Sequence, residues 1–204
     1  MTIQRNALAL SCSLLAALAI SCSNGGSTTT ANRSTAGAAA QTAHEAHTNA
    51  QTAQQQPQQP LASEPAATIP NFTFFILKSG IRFTNEDLAK TGNIVFILFD
   101  PTCSHCQHEA SDIGKNYDQV KDVNFYFVSM NDPALMASFL DTWAKPLVGK
   151  KNVEVLYDRS AEFINKFHVP SQFPATYVYG SDGQLKTYWN GERPVEEIIA
   201  AINK

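Results

Sequence analysis

Two cysteines stand three positions apart in the stretch Cys103-Ser104-His105-Cys106, shortly after an apolar run that ends at Phe99. If a helix begins beside Cys103, the unpaired backbone N–H groups and the dipole of that helix favour the thiolate over the thiol. Cys106 then lies one turn inside the helix, close enough to attack a mixed disulfide formed on Cys103. The spacing therefore predicts a redox-active disulfide, with Cys103 as the nucleophile, Cys106 as the resolving thiol and no further cofactor.

A Cys-x-x-Cys pair can also bind a metal or form a structural disulfide. Zinc or copper needs further ligands, and in the part of the chain that can fold the candidates are His105, His108 and His168. His105 lies between the two cysteines and is poorly placed to complete a metal site. A structural disulfide that closes so small a loop gains little chain entropy. Redox chemistry is therefore the favoured interpretation, and no metal ligand is predicted.

The elements that must position the two cysteines follow from the pattern of apolar residues. Residues 94–99 form a continuous apolar run, which is typical of a strand buried on both faces of a sheet. A helix is expected directly after it, because apolar residues recur there at intervals of three and four, namely Cys106, Ala110, Ile113, Tyr117 and Val120. Cys103 is thus predicted at the junction where a central strand passes into a helix.

The remaining elements indicate an α/β fold. A hairpin is expected at residues 72–78 and 81–84, and further strands at 123–129, 153–157, 175–179 and 184–189. A helix lined by Leu135, Phe139 and Trp143 is expected between two of these strands, and Pro194 begins the final helix. We therefore predict a central mixed β-sheet with helices on both faces and an N-terminal β-hairpin.

Pro174 stands directly before the strand predicted at 175–179. Together with the apolar strand, the Cys-x-x-Cys and the helical stripe, this arrangement resembles the thioredoxin superfamily. An export signal, described below, makes it most similar to the exported, membrane-tethered TlpA/ResA-like thiol–disulfide oxidoreductases, over most of residues 71–204. The resemblance implies a thioredoxin-like fold and a cis proline at Pro174 that packs beside the cysteines and shapes the substrate groove. It also implies that the backbone of Phe173 pairs with the substrate chain.

The dipeptide between the cysteines departs from that family. Ser104-His105 stands where many members have a proline. With His105 beside the thiolate, Ser104-His105 resembles the intervening dipeptide of DsbA-type oxidases. A cation at this position stabilises the reduced form of the protein and raises its reduction potential. The tethered architecture instead favours a reductant of disulfides in exported proteins. We expect a reductant whose potential is tuned by Ser104 and His105.

Thioredoxins also carry a buried acid six residues before the first cysteine, where this chain has Ile97. In those proteins the acid accepts the proton of the resolving thiol, so this role is vacant here or has moved. Asp100, Glu109 and His105 are the candidates. Of these, Asp100 is interpreted as a turn residue and Glu109 as a solvated helix position.

The N-terminus has the features of an export signal. Residues 1–21 carry Arg5 and then an apolar stretch that is too short for a comfortable membrane span. The sequence Leu18-Ala19-Ile20-Ser21-Cys22 resembles the lipobox of bacterial lipoproteins, which implies that Cys22 becomes the lipidated first residue. No acidic residue follows Cys22 directly, so the sorting resemblance implies the periplasmic face of the cell envelope and an outer rather than an inner membrane.

Composition separates a tether from a domain. Residues 23–70 are Ser, Thr, Ala, Gln, Gly and Pro almost throughout, so a disordered tether is expected at 22–70 and a folded domain at 71–204. The whole chain has 15 basic against 18 acidic residues and no basic run, which disfavours nucleic acid as a partner. We expect a monomer that acts on thiols and disulfides of exported proteins and is recharged by a membrane thiol-redox donor.

Two rival functions share parts of this pattern. A copper carrier of the Sco type would use Cys103, Cys106 and a distant histidine such as His168, although such carriers usually have three residues between the cysteines. A peroxidase of the peroxiredoxin type needs a proline and a threonine several residues ahead of its cysteine. Pro101-Thr102-Cys103 is too compressed for that arrangement.

Overall fold

A computed structural model of the protein describes residues 61–204. Seven strands form one sheet in the order β2-β1-β5-β4-β3-β6-β7. The strands are β1 Thr73–Ile76, β2 Arg82–Thr84, β3 Ile94–Leu98, β4 Asn124–Ser129, β5 Val153–Tyr157, β6 Ala175–Tyr179 and β7 Leu185–Asn190. The α-helices are α1 Ser104–Lys115, α2 Pro133–Met136, α3 Phe139–Trp143 and α4 Val195–Ile202, and a π-helical turn covers Phe163–Phe167.

The sheet is mixed. Strand β4 runs parallel to both of its neighbours, β3 and β5. Strands β3 and β6 are antiparallel, as are β6 and β7, and the hairpin of β1 and β2 joins the sheet antiparallel to β5. All residues of β3 are buried, because packed side chains cover both faces of the sheet at its centre. The predicted buried central strand and the N-terminal hairpin are therefore both confirmed.

Side chains of β3 alternate between two apolar clusters, as the pleat of a strand requires. Val95 and Ile97 face the cluster formed with α1, α3 and α4. Phe96 faces an aromatic cluster on the opposite side, where the π-helical turn packs. The rings of Phe163 and Phe167 in that turn stack with centroids 4.5 Å apart. The first of these clusters is the support on which the cysteine-bearing helix rests.

The helical stripe after β3 is confirmed for its first part. Cys106, Ala110 and Ile113 are buried on α1, which ends at Lys115. Tyr117 lies beyond this end in a 3-10 turn and is half-buried, and its hydroxyl donates a hydrogen bond of 2.6 Å to Oδ1 of Asn152. That bond satisfies the hydroxyl of Tyr117 while its ring packs against the core.

The helix predicted between β4 and β5 is wrong in its continuity. The chain forms two short helices, α2 and α3, with a break at residues 137–138. The three residues spaced by four positions therefore do not lie on one buried helix face. Phe139 is buried as expected, but Leu135 and Trp143 are exposed, and Met136 takes the inner position instead.

The tether prediction is wrong for residues 61–70, which lie on the domain. The Ala66 N–H donates to the Phe167 carbonyl at 2.8 Å, and the Leu185 N–H donates to the Ala67 carbonyl at 2.8 Å. Backbone hydrogen bonds hold this segment, and such bonds need no apolar side chains, so composition gave no signal of them. The predictions for residues 1–60, including Cys22, lie outside the described residues. None of the helices in the described part is long and apolar enough to cross a membrane.

Candidate active site

A tight turn after β3 sets the position of Cys103. Oδ1 of Asp100 accepts hydrogen bonds from the backbone N–H of Thr102 at 2.8 Å and from its hydroxyl at 2.7 Å. The Cys103 N–H donates to the Asp100 carbonyl at 3.1 Å, and α1 begins at the next residue. Asp100 is thus a turn residue, as the sequence indicated. Cys103 occupies the N-cap of α1, where unpaired N–H groups create a positive electrostatic potential.

The two cysteines differ in their surroundings. Both are free thiols, and Cys103 is half-buried whereas Cys106 is buried. Burial raises the pKa of Cys106 well above its usual range, and the adjacent Cys103 raises it further. Cys106 is therefore held as a neutral thiol behind the more accessible Cys103.

The loop before β6 brings Pro174 to the cysteines. The peptide bond between Phe173 and Pro174 is cis. The carbonyl oxygen of Phe173 lies 4.0 Å from Sγ of Cys103, although 70 residues separate the two in sequence. Phe173 and Cys103 line the same open groove, whose volume is about 750 Å³. The resemblance implied this juxtaposition, and the structure brings the residues together.

Glu109 corrects the sequence analysis, because it is buried rather than solvated. It lies one turn after Cys106 on α1 and is 1% exposed. The hydroxyl of Thr176, on β6, donates a 2.8 Å hydrogen bond to Oε1 of Glu109, while Oε2 has no hydrogen-bond partner. The indole N–H of Trp189 is close to this carboxylate, but no hydrogen bond of ordinary geometry joins them.

The environment of Glu109 makes it an acid that titrates near neutrality. Burial raises its pKa to about 7, and the Thr176 hydrogen bond opposes this increase without cancelling it. The charge of Glu109 in turn contributes to the raised pKa of Cys106, so the two groups interact. The helical stripe considered in the sequence counted only apolar residues. A carboxylic acid three positions after a buried cysteine lies on the same helix face, and this spacing was the available signal.

The other predicted tuning residues lie on the exposed side of the site. Ser104 is the exposed first residue of α1. His105 is also exposed, and its Nδ1 donates a hydrogen bond of 2.7 Å to Oε2 of Glu192. Nδ1 of His108 lies 3.6 Å from Oε1 of the same carboxylate. Glu192 follows β7 and is separated from His105 by 87 residues, so the sequence gave no indication of this contact.

Two residues named in the sequence analysis provide no polar group beside the cysteines. Ile97 is part of the apolar cluster under α1, so it provides no proton acceptor. His168 forms a 2.8 Å hydrogen bond through Nδ1 with the Tyr177 hydroxyl. Tyr177 and Thr176 are neighbours on β6 and point to opposite faces of the sheet. His168 thus lies on the opposite face of the sheet from Glu109. It therefore does not provide the distant histidine ligand that the copper-carrier interpretation requires.

The sequence of residues 65–188 matches the AhpC/TSA family. The chain belongs to the AhpC/TSA family. A comparison of this AhpC/TSA family member with curated proteins gives no significant match.

Solved structures resemble this AhpC/TSA family member over most of their own length. A secreted disulfide oxidoreductase of Mycobacterium tuberculosis, homologous to E. coli DsbE, is 24% identical with a TM-score of 0.52, and the match covers 64% of this chain and 93% of that one. DsbF of M. tuberculosis is 23% identical with a TM-score of 0.54, and coverage is 66% and 97%. An exposed lipoprotein thioredoxin of Streptococcus pneumoniae is 16% identical with a TM-score of 0.51, and coverage is 65% and 98%. The fold is therefore thioredoxin-like, as predicted.

Proposed function

We propose that this protein is a thiol–disulfide oxidoreductase that acts on cysteines of exported proteins through its Cys-Ser-His-Cys centre. One observation carries the proposal. Cys103 stands at the start of α1 beside an open groove, with the buried Cys106 one helical turn behind it. An accessible thiol backed by a protected thiol is the arrangement that a two-electron exchange requires. The disulfide oxidoreductases among the similar structures support the same chemistry.

The first step is attack on a substrate disulfide. The Cys103 thiolate attacks one sulfur, the substrate S–S bond breaks, and the second substrate sulfur leaves and takes up a proton. A mixed disulfide now joins Cys103 to the substrate. The groove beside Cys103 holds the substrate chain, with Pro174 shaping it and the backbone of Phe173 pairing with the extended peptide.

The second step releases the reduced substrate. Cys106 loses its proton and attacks the Cys103 sulfur, so that a Cys103–Cys106 disulfide forms and the remaining substrate sulfur leaves as a thiolate. The substrate has then gained two electrons and the protein has lost two. Glu109 is the proton acceptor for Cys106, because its raised pKa of about 7 suits a group that takes up and releases a proton near neutral pH. A membrane thiol-redox donor then reduces the protein disulfide, and no other cofactor takes part.

The direction of transfer is testable by equilibration in glutathione buffers, followed by trapping of free thiols and mass measurement. We expect Cys103 and Cys106 to form a disulfide whose potential is closer to the roughly −270 mV of thioredoxin than to the roughly −120 mV of DsbA. A potential near that of DsbA would contradict the reductant direction. A Cys106→Ser variant serves as the control, since it cannot form the intramolecular bond. Failure of the wild-type cysteines to pair would contradict the function itself.

We further propose that the protein is a membrane-tethered, TlpA/ResA-like lipoprotein on the periplasmic face of the cell envelope, with an outer membrane favoured and a monomeric domain. The lipobox-like sequence that ends at Cys22 supports this placement. One of the similar structures is itself an exposed lipoprotein thioredoxin. Mass spectrometry of the mature N-terminus should find a diacylglyceryl-modified Cys22, and an unmodified N-terminus at any other residue would contradict the anchor.

A further inference from the structure

Glu192 connects two parts of the candidate active site. Its carboxylate accepts the hydrogen bond from Nδ1 of His105 at 2.7 Å and lies 3.6 Å from Nδ1 of His108, so both imidazoles of the first turns of α1 face it. His105 is two residues after Cys103. The carboxylate thus lies on the rim of the groove that Cys103 and His105 both line.

The loop that carries Glu192 is fixed to the loop of Pro174. The Gly191 N–H donates a 2.7 Å hydrogen bond to the Pro174 carbonyl. Gly191 has φ +79°, a backbone conformation that favours glycine. Next along the chain, the Arg193 guanidinium lies 5.0 Å from the centre of the Trp189 ring. These contacts fix the residues on either side of Glu192 without involving the histidines.

Other charged groups near the groove are already engaged. The carboxylate of Asp100 binds Thr102 within the turn, and that of Asp112 forms a 2.8 Å ion pair with Lys115. Glu192 is the carboxylate that meets His105 and His108. Its negative charge also contributes to the raised pKa of Glu109, which indicates that its field extends into the site.

Resting on the proposed function, we propose that Glu192 is a positioning residue that holds His105 and offsets its positive charge, and that it thereby makes the Cys103–Cys106 pair a stronger reductant. An imidazolium alone beside Cys103 stabilises the thiolate and hence the reduced protein. A carboxylate bonded to that imidazolium cancels much of its field at the sulfur. The disulfide form then becomes relatively more stable, and the reduction potential falls. Glu192 thus opposes the effect of His105, which by itself would raise the reduction potential of the Cys103–Cys106 pair.

The test measures the equilibrium of each purified variant with glutathione at about pH 6 and at low salt, which leaves the ion pair least screened. Glu192→Gln should shift the equilibrium about threefold toward the reduced protein, which is the scale of an exposed ion pair. At 29.6 mV per tenfold, this shift corresponds to a rise of about 14 mV. Glu192→Asp should restore most of the wild-type value. Glu196→Gln, which removes an exposed acid on α4 outside the groove, is the matched control and should leave the equilibrium unchanged.

A double-mutant cycle decides whether Glu192 acts through His105. In a His105→Ala background, the effect of Glu192→Gln should fall to less than half. An unchanged effect in that background, or a Glu192→Gln equilibrium equal to the wild-type one, would overturn the inference. Neither result affects the proposed function, which is contradicted instead if the wild-type cysteines do not pair in the same buffers.

Discussion

Replacement of Cys103 by serine is expected to abolish disulfide reduction, with a loss of about a thousandfold or more. The serine hydroxyl has nearly the same size but stays protonated at neutral pH, so it provides no nucleophile for a substrate disulfide. The measurement is the turbidity of insulin reduced in the presence of dithiothreitol, with the uncatalysed rate subtracted. Because Cys103 is only half-buried at a helix N-cap and its side chain makes no cap hydrogen bond, the variant should retain the fold.

Cys106→Ser is the matched control for this experiment. This variant retains the attacking thiol but lacks the resolving thiol, so when it is incubated with insulin without dithiothreitol it should accumulate a mixed disulfide that is visible on a non-reducing gel. Turnover by the Cys103→Ser variant at the wild-type rate would exclude Cys103 as the nucleophile. A mixed disulfide formed through Cys106 in that variant would reverse the assignment of the two thiols.

Glu109→Gln is expected to raise the free energy of unfolding at about pH 8 by roughly 3 kcal/mol. The pKa of Glu109 rises from 4.5 to about 7 in the folded protein because of burial, and each unit corresponds to about 1.4 kcal/mol. Between these two values the folded state binds more protons than the unfolded state, so stability falls as pH rises. Above about pH 7 Glu109 of the wild-type protein is a buried carboxylate, and its full desolvation penalty lowers the free energy of unfolding. Glutamine stays neutral, and its carbonyl oxygen can accept the Thr176 hydrogen bond.

Urea unfolding curves at about pH 4 and about pH 8 measure this difference. Wild type and Glu109→Gln should have similar stability at the lower pH and should diverge as the pH increases. Glu196→Gln removes an exposed acid and should show no comparable pH-dependent gain. A Glu109→Gln effect of the same size at both pH values would show that the carboxylate is not held near neutrality by its surroundings.

The sequence by itself determined the local frame of the site. A continuous apolar run predicts β3 because a strand covered on both faces needs apolar residues at every position. Cys106, Ala110 and Ile113 predict α1 because the helical repeat places them on one face. The position of Cys103 at the junction follows from these two elements. Such patterns depend on residues within a few positions of one another, so a single sequence is sufficient to find them.

Tertiary structure alone decided what surrounds the cysteines. Glu109 is buried because β6 brings Thr176 against α1 from 67 residues away. His105 meets Glu192 across 87 residues, while His168 bonds to Tyr177, whose side chain the pleat of β6 directs to the opposite face of the sheet. Residues 62–67 join the domain through backbone hydrogen bonds to partners about a hundred residues later. The energy of each of these contacts depends on how distant segments of the chain pack together. The periodicity of residues within one segment does not indicate that packing.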